Sequence, residues 1–355
     1  MHIACTITEY YFDLFISEFK VMSTSLVNNI SKNSIAQFKL IVCFTAISSL
    51  VACGGSEQST SISDVITDST IADGSNIDAN GSTYNVLCEY AYNEYNNADS
   101  VQTTSSADWT CTGTTRDIIA NGIPDHDVGT FPNPANPNTI SEQSVDESFT
   151  LTPIQSSSAT MMGGPRGITG LVLNGVKIDA GTGGSCDDSG ENCDLGDNSG
   201  NWNIEALSQT TFSFGTDANN AHVQPDGTYH YHGMPEGFIT MQGGNETTMT
   251  LIGWAADGFP IYARYGYSDS TDATSELVAM TGSYQHVTTV STNRPSTDIY
   301  PLGTFAQDWE YVAGSGDLDE CNGRIGVTPE FPDGIYHYYA TDTYPFFQRC
   351  VKGEL

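Results

Sequence analysis

Short apolar stretches recur along most of this chain, and residues that favour turns, chiefly Gly, Asn, Asp and Pro, separate them. Long runs with helical periodicity are scarce. Apolar stretches of this kind between turn residues are typical of β-strands. The sequence therefore predicts a mainly β fold, a sandwich or barrel-like domain of short strands with long ordered loops and few short helices. One short helix is predicted from Trp202 to Leu207.

The clearest predicted hairpin begins at Leu171. The apolar segments Leu171–Leu173 and Val176–Ile178 flank the dipeptide Asn174-Gly175. Asn-Gly suits a type I′ turn, because both central positions of that turn need a positive φ. We therefore expect a tight turn between two strands here.

A second turn dipeptide, Asp226-Gly227, precedes the segment Tyr229–His232, which reads Tyr-His-Tyr-His. Aromatic residues after a turn favour a β-strand. Because alternate side chains of a strand share a face, we expect His230 and His232 to project from one side and the two tyrosines from the other. Two imidazoles about 7 Å apart along a strand can bind one metal ion. The alternative is a structural strand whose histidines are held by hydrogen bonds.

The turn and the strand after it recur in the chain. Asp226–Tyr231 has a close copy at Asp333–Tyr338 and a looser one at Asp257–Tyr262. The second close copy ends in Tyr339, so it lacks the second histidine of the first. Two interpretations remain open, a duplicated β-unit and coincidental use of the same hairpin sequence.

Histidine is rare in this chain, yet His222, His230 and His232 lie within eleven residues of one another, out of seven histidines in all. Neutral imidazole binds copper, zinc, iron or nickel. We predict a transition-metal site, copper or zinc, formed by these three histidines, with His337 from the second copy and His126 as further candidate ligands. Calcium is a weaker prediction, because the acidic segment from residue 186 to residue 198 does not have the spacing of an EF-hand loop.

The first part of the chain predicts export. A basic stretch is followed by the apolar run Leu40–Leu50, which is too short to span a membrane. The sequence Leu50-Val51-Ala52-Cys53 resembles a bacterial lipobox, in which the cysteine is lipidated. We predict a leader and lipoprotein signal peptide over 1–52, a flexible tether over 53–80 and one domain over 81–355. An ordinary secretory cleavage site or an anchor helix is the alternative.

Charge and cysteine usage agree with a bacterial envelope protein facing the periplasm or the cell surface. The chain carries 43 acidic and 11 basic residues, a formal net charge of −32, which excludes nucleic acid as a partner. Membrane contact is expected through the lipid anchor alone, and a protein or glycan partner stays open. An even number of cysteines after residue 53 implies disulfides. The sequence-local solution, one of 15 possible pairings, is Cys88–Cys111, Cys186–Cys193 and Cys321–Cys350.

Several ordered motifs resemble the YHYH-domain family of bacterial secreted proteins and lipoproteins. The resemblance spans roughly residues 84–353 and implies no particular activity. The motifs are Asn121-Gly122-Ile123-Pro124-Asp125-His126, Gly129-Thr130-Phe131-Pro132-Asn133, Asn136-Pro137-Asn138-Thr139-Ile140, Leu173-Asn174-Gly175-Val176, Trp202-Asn203-Ile204-Glu205-Ala206-Leu207, Tyr229-His230-Tyr231-His232, Gly253-Trp254-Ala255-Ala256-Asp257-Gly258-Phe259-Pro260-Ile261-Tyr262, Cys321-Asn322-Gly323-Arg324 and Tyr336-His337-Tyr338.

Three functions compete on this evidence. The first is a lipid-anchored metal-binding protein. The second is a metal-dependent oxidase or hydrolase that uses the same histidines, with Asp226 or Asp257 as general acid or base. The third is a non-catalytic module that binds a glycan or an envelope partner, since the chain has 18 Tyr, 15 Phe and 4 Trp.

Overall fold

The structure is a computed structural model that describes residues 75–77, 83–85, 87–162 and 167–355, all within the compact unit Ile66–Leu355. The predicted leader, the lipidation site Cys53 and nearly all of the predicted tether lie outside the described residues. In the part of the chain that is described, no helix is both long and apolar enough to cross a membrane.

Strands dominate the described residues, which confirms the mainly β prediction. In the described part of the chain the one α-helix is α1 (Glu236–Met241), and a short 3-10 helix covers Ala306–Asp308. The strands, in chain order, are β1 (Ser75–Ile77), β2 (Thr83–Asn85), β3 (Ala91–Asn96), β4 (Thr103–Thr112), β5 (Thr115–Ala120), β6 (Val145–Thr150), β7 (Gln155–Met161), β8 (Gly170–Val172), β9 (Lys177–Ile178), β10 (Ser185–Cys186), β11 (Cys193–Asp194), β12 (Trp202–Asn203), β13 (Ala221–Val223), β14 (Tyr229–Tyr231), β15 (Thr250–Ala255), β16 (Pro260–Ala263), β17 (Tyr265–Tyr267), β18 (Leu277–Ala279), β19 (Tyr284–His286), β20 (Trp309–Tyr311), β21 (Gly323–Gly326), β22 (Ile335–Ala340) and β23 (Cys350–Gly353).

The central element is an open eight-stranded sheet with the order β13-β14-β9-β8-β15-β16-β22-β21. Its pairing pattern is the same from either edge. The edge pair is antiparallel, the next pair is parallel, and the strands that follow toward the middle are antiparallel. The sheet therefore has two topologically equivalent halves, and the described strands do not close it into a barrel.

Each half is built from the same two hairpins in the same chain order. The first half has the β8–β9 hairpin and, after an excursion, the β13–β14 hairpin; the second has β15–β16 and then β21–β22. The middle of the sheet is symmetric too, because β8 and β15 pair with Leu171 opposite Trp254. This arrangement favours a duplicated β-unit over coincidental use of the same hairpin.

A four-stranded sheet with the order β3-β4-β5-β6 packs on the central sheet and completes the main core. The indole of Trp109 donates a hydrogen bond to the carbonyl of Leu173 at 2.7 Å. The guanidinium of Arg116 lies 3.2 Å from the centre of the Trp254 ring. The first contact reaches the end of the β8 strand and the second reaches β15, so the second sheet supports the middle of the first.

Two local predictions need correction. Residues Trp202 and Asn203 form a strand rather than the start of a helix, because Trp202 pairs with Cys186 and its ring packs against Phe305 in a second, smaller core. The β8–β9 hairpin exists as expected, but its turn is not type I′, since Gly175 has a positive φ and Asn174 does not.

The structure contains the sequence-local set of disulfides. Cys88 bonds to Cys111, Cys186 to Cys193, and Cys321 to Cys350. Three disulfides are typical of a protein that functions outside the reducing cytoplasm.

Candidate metal centre

Three histidines lie on one face at the edge of the central sheet. In the antiparallel β13–β14 pair, His222 stands directly opposite His230. Opposite residues of such a pair share a face, and so do residues two apart in a strand. His232, just after β14, therefore joins the same face, and the tight turn at Gly227 holds the two strands in this register.

The imidazole rings of these histidines converge through their Nε2 atoms. Nε2 of His232 lies 3.0 Å from Nε2 of His230 and 3.0 Å from Nε2 of His222. The three side chains each offer one ligand atom, and these atoms all lie within 4.8 Å of one another. Two metal–nitrogen bonds of about 2.0–2.1 Å would span 3.0 Å when the nitrogen–metal–nitrogen angle is about 90°.

The hydrogen bonds on the outer ring nitrogens orient this cluster. Nδ1 of His222 lies 2.8 Å from the carbonyl of Phe214, and Nδ1 of His230 lies 3.2 Å from the carbonyl of Thr228. A carbonyl only accepts, so each of these Nδ1 atoms carries the proton, and each neutral ring presents a lone pair at Nε2. This is the arrangement that metal-binding histidines commonly have.

The three Nε2 atoms have too few protons for each close contact between them to be a hydrogen bond. Nε2 of His232 has two close neighbours, both lone pairs, and it can donate to only one of them. At least one close contact is therefore between two lone pairs. A positive ion among the three nitrogens removes that repulsion, whereas a structural role for the histidines does not.

Burial keeps the imidazoles neutral. His230 and His232 are buried and His222 is partly buried. Burial lowers the pKa of His222, and it lowers the pKa of His230 and of His232 well below the usual range, with further lowering from the neighbouring imidazoles. Neutral imidazole is the form that binds a metal ion.

The histidines line a cavity of about 340 Å³. Asn136, Asn138 and Phe214 also line it. An ion held by three imidazoles would thus face an accessible space, so the site is not enclosed by side chains on all sides. A three-histidine site with an open position is the arrangement of catalytic rather than structural zinc.

The tyrosines of the same strand lie on the far face, as the alternation predicts. Tyr229 donates a hydrogen bond to Asp217 at 2.7 Å. The hydroxyl of Tyr231 lies 2.6 Å from Nε2 of His126, whose Nδ1 contacts the carbonyl of Asp127 at 2.8 Å. The structure therefore places His126 on the opposite side of the sheet from the three-histidine cluster, in a network with Tyr231.

His337 lies in the other half of the sheet, on β22. Its Nδ1 is 2.9 Å from the carbonyl of Ile335, and its Nε2 is 2.9 Å from the hydroxyl of Tyr339. Both ring nitrogens are therefore occupied by protein groups. The structure does not bring His337 to the cluster.

The acidic candidates also lie away from the cluster. Asp226 is an exposed turn residue, and Asp257 accepts hydrogen bonds from Tyr338 and the Gly353 amide in the second half. In the acidic loop, hydrogen bonds from Asn192 and Ser189 lower the pKa of Asp187 to about 2. That loop is a largely exposed segment closed by a disulfide, and its four aspartates accept hydrogen bonds from protein groups.

A family model described as YHYH protein matches residues 147–353, which contain the three-histidine cluster and His337. The chain belongs to the YHYH family. No curated protein and no solved structure matches it. Family membership and the disulfides fit an extracellular or envelope protein. The domain boundary predicted at residue 81 stays a prediction, since the match begins later.

One acidic residue at the cavity was not predicted from the sequence. Asp179 directly follows β9, which pairs with β14 in parallel, and it lines the same cavity as the histidines. Parallel pairing of strands more than 50 residues apart in sequence leaves no local pattern. The only sequence trace is that Asp179 lies two residues after Lys177 on the predicted hairpin strand.

Proposed function

We propose that this YHYH-family protein is an exported, lipid-anchored protein that binds one transition-metal ion, copper or zinc, through His222, His230 and His232. The lone-pair contact among the three Nε2 atoms carries the proposal, because a bound cation is the simplest partner for all three. Two of the rings are already oriented by hydrogen bonds to backbone carbonyls. The site is thus prepared to bind before an ion arrives.

The choice of metal follows from the ligand set. Three neutral imidazoles without an adjacent thiolate suit copper or zinc, and affinities of nitrogen sites peak at copper in the first-row series. Calcium and magnesium need oxygen ligands, which the cluster does not supply.

Metal content of protein purified without a histidine tag tests this proposal. We expect about one equivalent of copper or zinc in the wild type after incubation with the metal and removal of the excess. The double variant His230→Ala/His232→Ala should hold less than a tenth of that amount. The variants His126→Ala and His337→Ala are matched controls, since each removes a buried imidazole outside the cluster, and both should keep the metal. Equal metal content in all variants would refute the proposal.

Lipid attachment is tested separately. Expression of the full chain in a bacterium fed an alkyne-tagged fatty acid should label the wild type and leave Cys53→Ala unlabelled. The three disulfides and the net charge of −32 support export. Equal labelling of both proteins would contradict the anchor without affecting the metal site.

Of the other candidate functions, the enzyme has support at the histidine cluster itself. A glycan-binding module would have to use a different place, the cavity of about 570 Å³ lined by Tyr284, Trp309 and Tyr344. The cavity beside the histidines, by contrast, gives a substrate access to an open coordination position.

A further inference from the structure

The cavity beside the three histidines contains a buried carboxylate that the rest of the fold does not neutralise fully. Asp179 is 1% exposed. Its Oδ2 accepts hydrogen bonds from Gln224 at 3.0 Å and pairs with Lys177 at 3.3 Å. Its Oδ1 makes no hydrogen bond of normal geometry with any described residue, and the backbone amide of Gly181 is the one further group that acts on the carboxylate. A buried carboxylate oxygen without a partner is costly and calls for an explanation.

The position of Asp179 in the sheet places it on the histidine face. In the parallel β14–β9 pair, Lys177 stands beside His230, and the Asp179 amide donates to the Tyr231 carbonyl. Asp179 therefore lies level with His232 on the next strand, and alternation puts its side chain on the same face as Lys177. Both Asp179 and the histidines line the cavity of about 340 Å³.

Asp179 is close to the centre without being part of the ligand group. The three histidines are the only described His, Cys, Asp or Glu side chains whose ligand atoms all lie within 4.8 Å of one another. Asp179 does not belong to that group, but it lines the cavity onto which the group opens. We therefore assign it a contact with a molecule in the cavity rather than with the metal ion.

The equivalent position in the second half shows that the fold does not need a carboxylate there. Tyr262 follows the β15–β16 turn at the place where Asp179 follows the β8–β9 turn, and it stands beside Tyr339. Its hydroxyl is satisfied by Thr328 at 2.8 Å and Glu330 at 2.7 Å. The half without the histidine cluster thus has a fully partnered residue, and the half with the cluster has a carboxylate with one oxygen, Oδ1, outside these hydrogen bonds.

We propose that Asp179 is the proton acceptor for a water molecule bound at the open position of the metal, so that the centre is hydrolytic. This rests on the proposed metal site. A metal ion held by the three histidines would polarise a bound water. In the step, one O–H bond of that water breaks and its proton passes to Oδ1 of Asp179, while the water oxygen forms a C–O bond to the carbonyl carbon of an ester. The C–O bond to the leaving alcohol then breaks, and the leaving oxygen takes the proton back from Oδ1. Lys177 and Gln224 hold Oδ2, which leaves Oδ1 for the water.

Azide binding to the cobalt-loaded protein tests the placement of this charge. Azide is an anion that occupies open positions on cobalt(II) and changes its visible absorption. A carboxylate beside that position repels it, so Asp179→Asn should bind azide about five- to tenfold more tightly than the wild type. The cobalt dissociation constant itself should change less than about threefold, because Asp179 is not a ligand.

The matched control is Asp257→Asn, the same substitution at a buried carboxylate in the other half of the sheet. It should leave azide affinity unchanged. Equal azide affinity in Asp179→Asn and the wild type would overturn the proposal, as would a wild-type protein that binds cobalt but shows no response to azide. A wild type that binds no cobalt would instead refute the metal site.

Hydrolysis of 4-nitrophenyl acetate by the zinc-loaded protein is the second readout. We expect the wild type to exceed free zinc, and Asp179→Asn to lose at least about tenfold in kcat with little change in KM, since general-base catalysis contributes about 10²–10⁴-fold. Wild-type activity equal to that of free zinc, or full activity in Asp179→Asn, would contradict the assignment.

Discussion

The two halves of the central sheet have the same backbone plan and different chemistry at one place. In each half an aspartate, Asp217 or Asp319, accepts the hydroxyl of the first tyrosine of the Tyr-His-Tyr strand. Each of these aspartates also accepts the backbone amide two residues later. Asn220 and Asn322 follow at the same spacing, and both have positive φ. This part of the unit is scaffold, since both halves retain it.

The first histidine of each strand is also oriented in the same way. Nδ1 of His230 and of His337 contacts the carbonyl two residues earlier, and Nε2 contacts the side chain two residues later. The orientation of this ring is therefore a property of the repeated unit. It is not by itself a sign of metal binding.

The difference lies in the two neighbours of that ring. Beside His230 stand His222 and His232, whereas beside His337 stand Arg324 and Tyr339. Tyr339 offers a hydroxyl to Nε2, and Arg324 donates to that hydroxyl at 3.3 Å. At His337 the second half thus has a hydrogen-bond network, and at His230 the first half has the cluster of imidazole nitrogens that could hold a metal ion.

Exchanging these neighbours should produce the largest effect. The variant His222→Arg/His232→Tyr gives the first half the residues of the second. We expect a folded protein, because the same combination is already accommodated on the same backbone, but a metal affinity at least about a thousandfold lower, roughly 4 kcal/mol. Competition with a chelator measures the affinity, and thermal unfolding verifies the fold. If the variant still binds the metal ion tightly, the residues that differ between the halves at these two positions do not determine metal affinity.

A smaller effect is expected from the closed network itself. Burial lowers the pKa of His337 to about 4, below its usual value. The unfolded chain therefore binds more protons between pH 6.5 and 4, and the contribution of neutral His337 to stability is present above pH 6.5 and lost as the pH falls toward 4. Relative to His337→Gln, metal-free wild type should lose about 3 kcal/mol of unfolding free energy over that window. Urea unfolding at several pH values measures it; parallel curves for the two proteins would contradict it.

The reverse exchange should create a weaker site. Arg324→His/Tyr339→His places three histidines around the second strand. We expect a second equivalent of zinc or copper, bound about a hundredfold more tightly than by the wild type at that place, about 2.7 kcal/mol. The gain in affinity is smaller than the loss above because the neighbouring Tyr262 hydroxyl is already hydrogen-bonded to Glu330 and Thr328. Calorimetric titration gives the stoichiometry. One equivalent in both proteins would show that more than these two neighbours separates the halves.

The sequence predicted the parts of this comparison that depend on local pattern. Alternation in the strand was enough to separate His230 and His232 from the two tyrosines, and the turn at Asp226-Gly227 was enough to suggest that His222 returns beside them. The close copy at Tyr336–Tyr338 indicated the repeat. These features depend on residues within one hairpin.

The rest depends on which strands meet, and no local pattern encodes that. Asp179 reaches the cavity through parallel pairing of β9 with β14, and His126 reaches Tyr231 from a different layer. The sequence around Trp202 favours a helix. In the structure Trp202 is extended, because it pairs with Cys186 and its ring packs in the smaller core. Tertiary packing decides such positions against local preference.

The smallest effect concerns the turn residues of the two central hairpins, Asn174 and Asp257, which are equivalent positions. Asn174 donates to Tyr231 at 3.0 Å, and it also donates to Asp125 at 2.8 Å, so an amide is needed there. Asp257 has no such acidic neighbour and instead accepts a hydrogen bond from Tyr338 at 2.5 Å.

The variant Asp257→Asn keeps an acceptor oxygen but loses the charge, and we expect it to cost about 1–2 kcal/mol of unfolding free energy without changing metal affinity. Chemical denaturation of the metal-free protein measures the cost. A change in metal affinity would mean that the two halves are coupled through the middle of the sheet, where Leu171 and Trp254 pair.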